Sequence, residues 1–271
     1  MTGLLHLSGP ALSLLEIAIG AGVGFLIGLT GLGGGSVLTP LLILGAGFSP
    51  GTAVGTSLVF SCLTKCGGSI QFIRRGLVEF GIVQDLSLGG LPGAAAGAFV
   101  IRYLGVRRPE SMDSILLRSI GLALIFVAFI LLVRMLPEKH RPGIVDRELR
   151  LHPRLRRAAV VVSGFIVGIF VSVTSIGAGA ALMPVMVLCY RVEIGTLVGS
   201  NVFASAVLAA VAALPHAGLG HISWHAVAFL LTGSLPGMWA ASHLHGRIPG
   251  RISEGILAAV LLGMGLRIFA F

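Results

Sequence analysis

Apolar residues run through this chain in long blocks, separated by short clusters of glycine, proline and charge. Eight blocks lie at 11–31, 50–73, 80–104, 113–136, 158–176, 195–217, 223–245 and 253–271. Each holds about the 20 residues an α-helix needs to cross roughly 30 Å of hydrocarbon. Two more, at 36–48 and 180–191, are too short for an ordinary crossing and read as half-helices or re-entrant segments. The pattern predicts an all-α polytopic membrane protein. The stretch Met1–Pro10 lacks the positive region of a secretory signal, so the first block is expected to stay as a span.

Composition strengthens that reading. Of 271 residues, 55% are hydrophobic and 11% charged, with a mean hydropathy of +1.00. A soluble domain of this size could not cover its outside with so few charges. The net charge of +9 raises the question of nucleic acid, and its placement answers it. Charged residues crowd between Glu138 and Arg157 with no stacking aromatics among them. A basic loop between spans marks the cytoplasmic side of the membrane. Cys62, Cys66 and Cys189 sit in apolar runs as small core residues, not as a disulfide framework.

The chain repeats itself. Thr30, Gly33, Gly35, Leu38 and Pro40 recur 144 residues later as Thr174, Gly177, Gly179, Leu182 and Pro184. The same offset carries Gly51, Thr52, Val54 and Gly55 onto Gly195, Thr196, Val198 and Gly199, and Leu91-Pro92-Gly93 onto Leu235-Pro236-Gly237. Shared apolar composition would match leucines and valines at random; a fixed register of glycine, proline and threonine signals duplication. Residues 1–136 and 158–271 are thus two transmembrane repeats, joined by a basic cytoplasmic linker at 137–157. Each has four full spans and one short broken helix. If the short pieces do not count as crossings, the halves are parallel. If they do, the halves are inverted, and Arg74, Arg75, the linker, Arg191, Arg247 and Arg251 share one side, which the positive-inside rule favours.

Duplicated halves are the usual build of secondary transporters, with the substrate at the repeat interface. Gly31-Leu32-Gly33-Gly34-Gly35-Ser36 and its mate Ser175-Ile176-Gly177-Ala178-Gly179-Ala180 would each break a helix at membrane depth. Broken backbone there lines a wet cavity or is buried in protein, and the free N–H groups of the next half-helix attract an anion. Close packing through small residues is the alternative for these glycines. A dinucleotide fingerprint is rejected, because no βαβ pattern flanks the block. Gly55-Thr56-Ser57 and Gly199-Ser200-Asn201 open a second pair of spans, with side chains able to donate to an anion or to bond between helices. The anion-site candidates are therefore Gly33, Gly34, Gly35, Thr56, Ser57, Gly177, Gly179, Ser200 and Asn201.

The stretch Gly24-Phe25-Leu26-Ile27-Gly28-Leu29-Thr30-Gly31-Leu32-Gly33-Gly34-Gly35, with Thr39-Pro40-Leu41-Leu42 and Ala53-Val54-Gly55-Thr56-Ser57, resembles the TauE/SafE sulfite exporter family, also called the 4-toluene sulfonate uptake permeases. The resemblance extends over nearly the whole chain. It implies a multi-pass transporter of the cytoplasmic membrane for small anions, often sulfur-containing: sulfite, sulfonates, sulfoacetate. The second block departs from the pattern at Ser175, Ala178 and Ala180, so the halves need not contribute equally.

Ionisable residues inside spans are functional candidates, because burying them is costly. Lys65, whose mate is Ala209, offers an anion a point charge or snorkels to the interface. Asp85, whose mate is Phe229, is the candidate for relaying a coupling proton or for pairing with Lys65. Glu16 and Arg118 are expected at the interface. His221 and His225 have helical spacing but no third ligand, so they read as interfacial, and no metal or cofactor is expected. Pro92 and Pro236 would kink equivalent spans as hinges for alternating access. The expected partners are a small anion, the lipid bilayer and a proton. An anion channel, and more remotely a membrane enzyme or a non-transporting partner protein, are the rival readings. No paired carboxylate or nucleophile–base spacing favours the enzyme. Single cysteines placed near Gly105 and Gly250 are expected to react with impermeant reagent from opposite sides; labelling from one side would refute inversion.

Overall fold

The computed structural model describes residues 9–30, 35–107, 109–135, 153–190, 192–244 and 250–270. Gly33, Gly34, Arg191, Arg247 and the linker up to residue 152 lie outside the described residues. Among those described, all regular structure is helical: α1 (Gly9–Thr30), α2 (Gly35–Leu44), α3 (Pro50–Arg74), α4 (Phe80–Arg107), α5 (Pro109–Met135), α6 (Pro153–Thr174), α7 (Ala178–Cys189), α8 (Ile194–Gly218), α9 (Trp224–Leu244) and α10 (Gly250–Phe269). The eight long helices match the eight predicted blocks to within a few residues at each end, and α2 and α7 overlap the two short pieces but begin before them.

Local chemistry sets the ends. Pro50 opens α3 behind Ser49, whose hydroxyl accepts from the Thr52 amide at 3.4 Å. Gly76 and Gly220, 144 residues apart, take φ of +68° and +71° in the turns after α3 and α8. Pro153 opens α6, so Arg154, Arg156 and Arg157 stand in its first turns. Pro92 and Pro236 lie inside α4 and α9, which continue through them. His221 lies in the turn between α8 and α9, so it does not share a helix face with His225. The helical spacing misled because a turn intervenes.

Helices pack across the halves. The most extensive contacts join α1 with α9, α4 with α6, α5 with α10 and α3 with α8. Glycines govern the first two pairs. A Cβ on Gly20 or Gly24 of α1 would collide with the backbone of Leu230 or Ser234 in α9, and one on Gly233 or Gly237 with that of Ile17 or Ala21. The α4–α6 pair repeats this at the 144-residue offset, with Gly89 and Gly93 against Val161 and Phe165, and Gly168 against Gly90. Four glycine-xxx-glycine stripes thus bring helix backbones into contact, as expected where lipid supplies no hydrophobic drive between helices.

The same contacts fix directions. Residue numbers rise together along α1 and α9, and along α4 and α6. They run oppositely in α5 and α10, where Gly121 meets Phe269 and Gly255 meets Met135. In α3 and α8, Gly55 meets His221 beyond the end of α8, and Gly199 meets Leu77 beyond the end of α3. Those helices are antiparallel too.

The outside is apolar: Phe99, Phe129, Trp224, Leu235 and Trp239 are all more than 60% exposed. Such a surface belongs in lipid. By length and apolar composition alone, segments of three helices, Ser111–Val133, Arg154–Thr174 and Gly195–Gly218, qualify to cross a bilayer. Helices α3, α4 and α9 fall short of that standard because glycines and polar residues lower their mean hydropathy.

Gly24→Ala is expected to destabilise the protein by about 1–3 kcal/mol through overpacking. Gly22→Ala meets nothing within 4 Å, and alanine is better than glycine inside a helix by about 1 kcal/mol, so it should leave the thermal midpoint in detergent unchanged or higher. Equal losses at both positions would refute the close α1–α9 contact.

Candidate functional site

Two helix junctions converge. Helix α1 ends at Thr30 and α2 begins at Gly35, with residues 31–34 outside the described residues, while the second junction, a break at Ser175–Gly177, separates α6 from α7. Ser175 has φ of +61°, in the left-handed region that costs a non-glycine residue energy, and Gly177 has φ of +101° at the N-terminus of α7. Thr174 steadies this break: its hydroxyl donates to Phe170 O at 2.7 Å and accepts from the Ile176 amide at 3.1 Å. A Cβ on Gly35, the first residue of α2, would lie 2.5 Å from Ser175 O and 2.8 Å from Ser61 Oγ. The start of α2 therefore abuts the second break, beside the middle of α3.

Each half-helix is held from its own repeat. The Thr39 hydroxyl donates to Gly35 O at 3.2 Å and lies 2.7 Å from Ser57 Oγ. In the other half, Asn201 Nδ2 donates to Gly179 O at 3.0 Å, and Ser205 Oγ donates to Asn201 Oδ1 at 3.3 Å. Ser57 and Asn201 are 144-residue mates, as are Gly35 and Gly179. At 10 residues, α2 is about 15 Å long, half a bilayer, and its unsatisfied first-turn N–H groups carry partial positive charge.

Three buried hydroxyls, on Ser61, Ser172 and Ser175, find no hydrogen-bond partner among the described residues, and their residues are 2%, 0% and 7% exposed. An unsatisfied buried donor costs about 1–3 kcal/mol. Two of the three, Ser61 and Ser175, bracket Gly35.

The predicted residues divide. Gly35, Ser57, Gly177, Gly179 and Asn201 gather around the two breaks. Thr56 and Ser200 serve elsewhere: Thr56 Oγ1 accepts from the Ser223 amide at 3.1 Å, and Ser200 Oγ from the Glu79 amide at 2.9 Å. Each secures the turn that opens α9 or α4. Lys65 follows Ser57 and Ser61 at helical spacing along α3, and its ammonium makes no ion pair among the described residues. Asp85 stands apart, near the start of α4. Arg157 Nε donates to it at 2.7 Å and the Tyr190 hydroxyl at 2.8 Å, with the Arg156 guanidinium 5.4 Å from the Tyr190 ring centre.

Several polar residues escaped sequence reasoning. Ser61 carries a signal, its 144-residue mate Ser205 at helical spacing from the mates Ser57 and Asn201. Ser175 carries none, because its mate is Gly31. Glu16, expected at the interface, is 1% exposed inside α1, where α9 covers it and His225 Nδ1 comes within 3.3 Å. Arg118 is exposed. Outside the helices, burial pushes the His221 imidazole below its usual range, opposed by Asp113. Among the described residues no three metal-ligating side chains cluster.

An apolar exterior around a polar centre assembled from two broken helices defines a class, the helical membrane transporters. Comparison with known sequences narrows it: the chain belongs to the sulfite exporter TauE/SafE family, whose model matches residues 16–268. It is 33% identical over 258 residues to Bacillus subtilis YjnA, which bears the name "Probable membrane transporter protein"; the match covers 95% of this chain and all of that one. Bacillus subtilis YunE, likewise so named, is 24% identical over 90% of this chain and 91% of its own length. A Xylella fastidiosa (strain Temecula1) protein of the same printed name is 25% identical over 91% of this chain and 95% of its own. No solved structure matches.

Thr56→Ala is expected to lower stability by about 1 kcal/mol, the usual loss of a helix-opening bond. Ser61→Ala removes a hydroxyl without a protein partner and should leave the thermal midpoint unchanged or raised. A fall for Ser61→Ala as large as for Thr56→Ala would mean that Ser61 is bonded within the fold.

Proposed function

We propose that this protein is a secondary transporter carrying a small, sulfur-containing anion such as sulfite or a sulfonate across the cytoplasmic membrane by alternating access. The observation that carries the reading is the abutment of α2 against the second break, flanked by unpartnered hydroxyls of Ser61 and Ser175. Helix N-termini and neutral donors favour an oxyanion without a buried counter-charge of fixed geometry. Lys65, farther along the same helix, would add the net charge the anion requires. Gly35, Gly177 and Gly179 supply the proposed amide cradle; Gly33 and Gly34, assigned to it by the sequence motif, lie outside the described residues. Ser57 and Asn201 hold the half-helices in place, while Thr56 and Ser200 fasten the surrounding turns.

The architecture favours two inverted five-helix repeats. Counterparts α3 and α8, and α5 and α10, are antiparallel, as ten crossings require and eight do not. The glycine-bound pairs α1–α9 and α4–α6 are then units that can rock about the centre and expose it to one side at a time. The basic linker marks the cytoplasmic end.

Purified protein in liposomes, offered sulfite, sulfonates, thiosulfate and carboxylates in turn, tests the reading. Saturable uptake of a sulfur oxyanion is expected, with no currents beyond a carrier's rate; large currents would favour a channel. Lys65→Met should reduce uptake about tenfold or more, since a charge-assisted contact contributes about 1.5–3 kcal/mol. Undiminished uptake would remove Lys65 from the site.

A further inference from the structure

The two glycine-bound helix pairs are alike in packing but differ in the charges at their ends. In α4–α6, Asp85 faces Arg157 at 2.7 Å, a cation that does not discharge. In α1–α9 the acid is on the other helix. Glu16 of α1 is 1% exposed, its Oε2 has no well-formed hydrogen bond, and its ionisable neighbour is His225 Nδ1 at 3.3 Å. The His225 side chain is 58% exposed and rests on Phe229, ring centres 4.5 Å apart. Among the described residues no other charge pairs with Glu16. Helix α2 has no ionisable residue, Arg267 of α10 forms no ion pair with it, and its neighbours on α1 are uncharged. The 144-residue mates of Glu16 and His225 are Val160 and Gly81, so the other half holds no copy of this pair.

A buried carboxylate opposite an imidazole, which unlike a guanidinium can lose its charge, has no permanent counter-ion, and protonation relieves the cost of burying its charge. Its position matters as much as its chemistry. Glu16 is next to Ile17, whose carbonyl meets Gly233 of α9, and one turn before Gly20, which meets Leu230; α2 follows α1 in the chain. The pair also stands at the end of the molecule opposite the basic linker, because α1 runs antiparallel to α6.

We propose that Glu16, paired with His225, is the proton-carrying site that couples anion transport to the proton gradient. On the face opposite the linker, an O–H bond of hydronium breaks, its proton bonds to Glu16 Oε2, and water leaves. Release to water on the linker side reverses the step. Neutralising Glu16 loosens the ionic contact between α1 and α9 and removes a negative charge that opposes the incoming anion, so proton and anion favour each other's binding. The inference rests on the transport reading above.

The test uses full-length protein in liposomes with radiolabelled sulfite and thiosulfate. Wild type should accumulate label when the face opposite the linker is acidified. Glu16→Gln should keep label exchange at equal pH and lose the response to the gradient, while Glu16→Asp should keep the response. Gradient-driven accumulation by Glu16→Gln overturns the proposal, and so does loss of the response in a well-folded Glu16→Asp. If Glu16→Gln does not fold, His225→Gln decides: the pH midpoint of uptake should shift, and an unmoved midpoint counts against the pair. If wild type moves no anion, the transport reading fails by itself. Infrared difference spectra on a pH step then judge Glu16 independently, by whether a titrating carboxyl band present in wild type disappears in Glu16→Gln.

Discussion

The rest of the structure depends on backbone-to-backbone contact between helices of different halves. Where Gly20 and Gly24 lie against α9, and Gly89 and Gly93 against α6, no side chain separates the chains. In lipid, apolar side chains gain little by leaving one apolar surrounding for another, so dispersion at short range must hold helices together. Short range needs residues without a Cβ. Because these contacts tie α1 to α9 and α4 to α6, neither half can form its core alone, and the broken ends of α1 and α6 are drawn to the same centre.

That centre allocates its polar atoms in tiers. Thr56 and Ser200 accept backbone amides at the turns before α9 and α4. Thr39, Ser57 and Asn201 steady the first turns of α2 and α7. Ser61 and Ser175 are buried without partners. With Ser172 they are the buried hydroxyls that lack a partner among the described residues, and Ser61 and Ser175 stand beside the start of α2. Charge, by contrast, is where the halves differ. Lys65 faces Ala209 in the repeat register, Asp85 faces Phe229, and Glu16 faces Val160. The 144-residue register that relates the glycines and prolines does not extend to these charges.

Much of this was legible beforehand. The blocks of apolar residues located the helices to within a few positions, and the glycine–proline register located both breaks. Other features were not. Gly55-Thr56-Ser57 looks like one motif, yet Thr56 turns to a neighbouring loop while Ser57 reaches the half-helix, because successive helix residues point about 100° apart. Glu16 looked interfacial by its distance from the start of the span, but α9 lies over it. His221 and His225 had helical spacing, and a turn separates them.

The sequence by itself determined the solvent, the helices, the duplication and the family, since each follows from local patterns that a helix in lipid must obey. Only the tertiary structure decided which hydroxyls are bonded, which acid has a permanent partner, and that α3 and α8 run antiparallel. Those properties depend on helices far apart in the chain, brought together by contacts whose strength is set by tenths of an ångström, which no period along the sequence records.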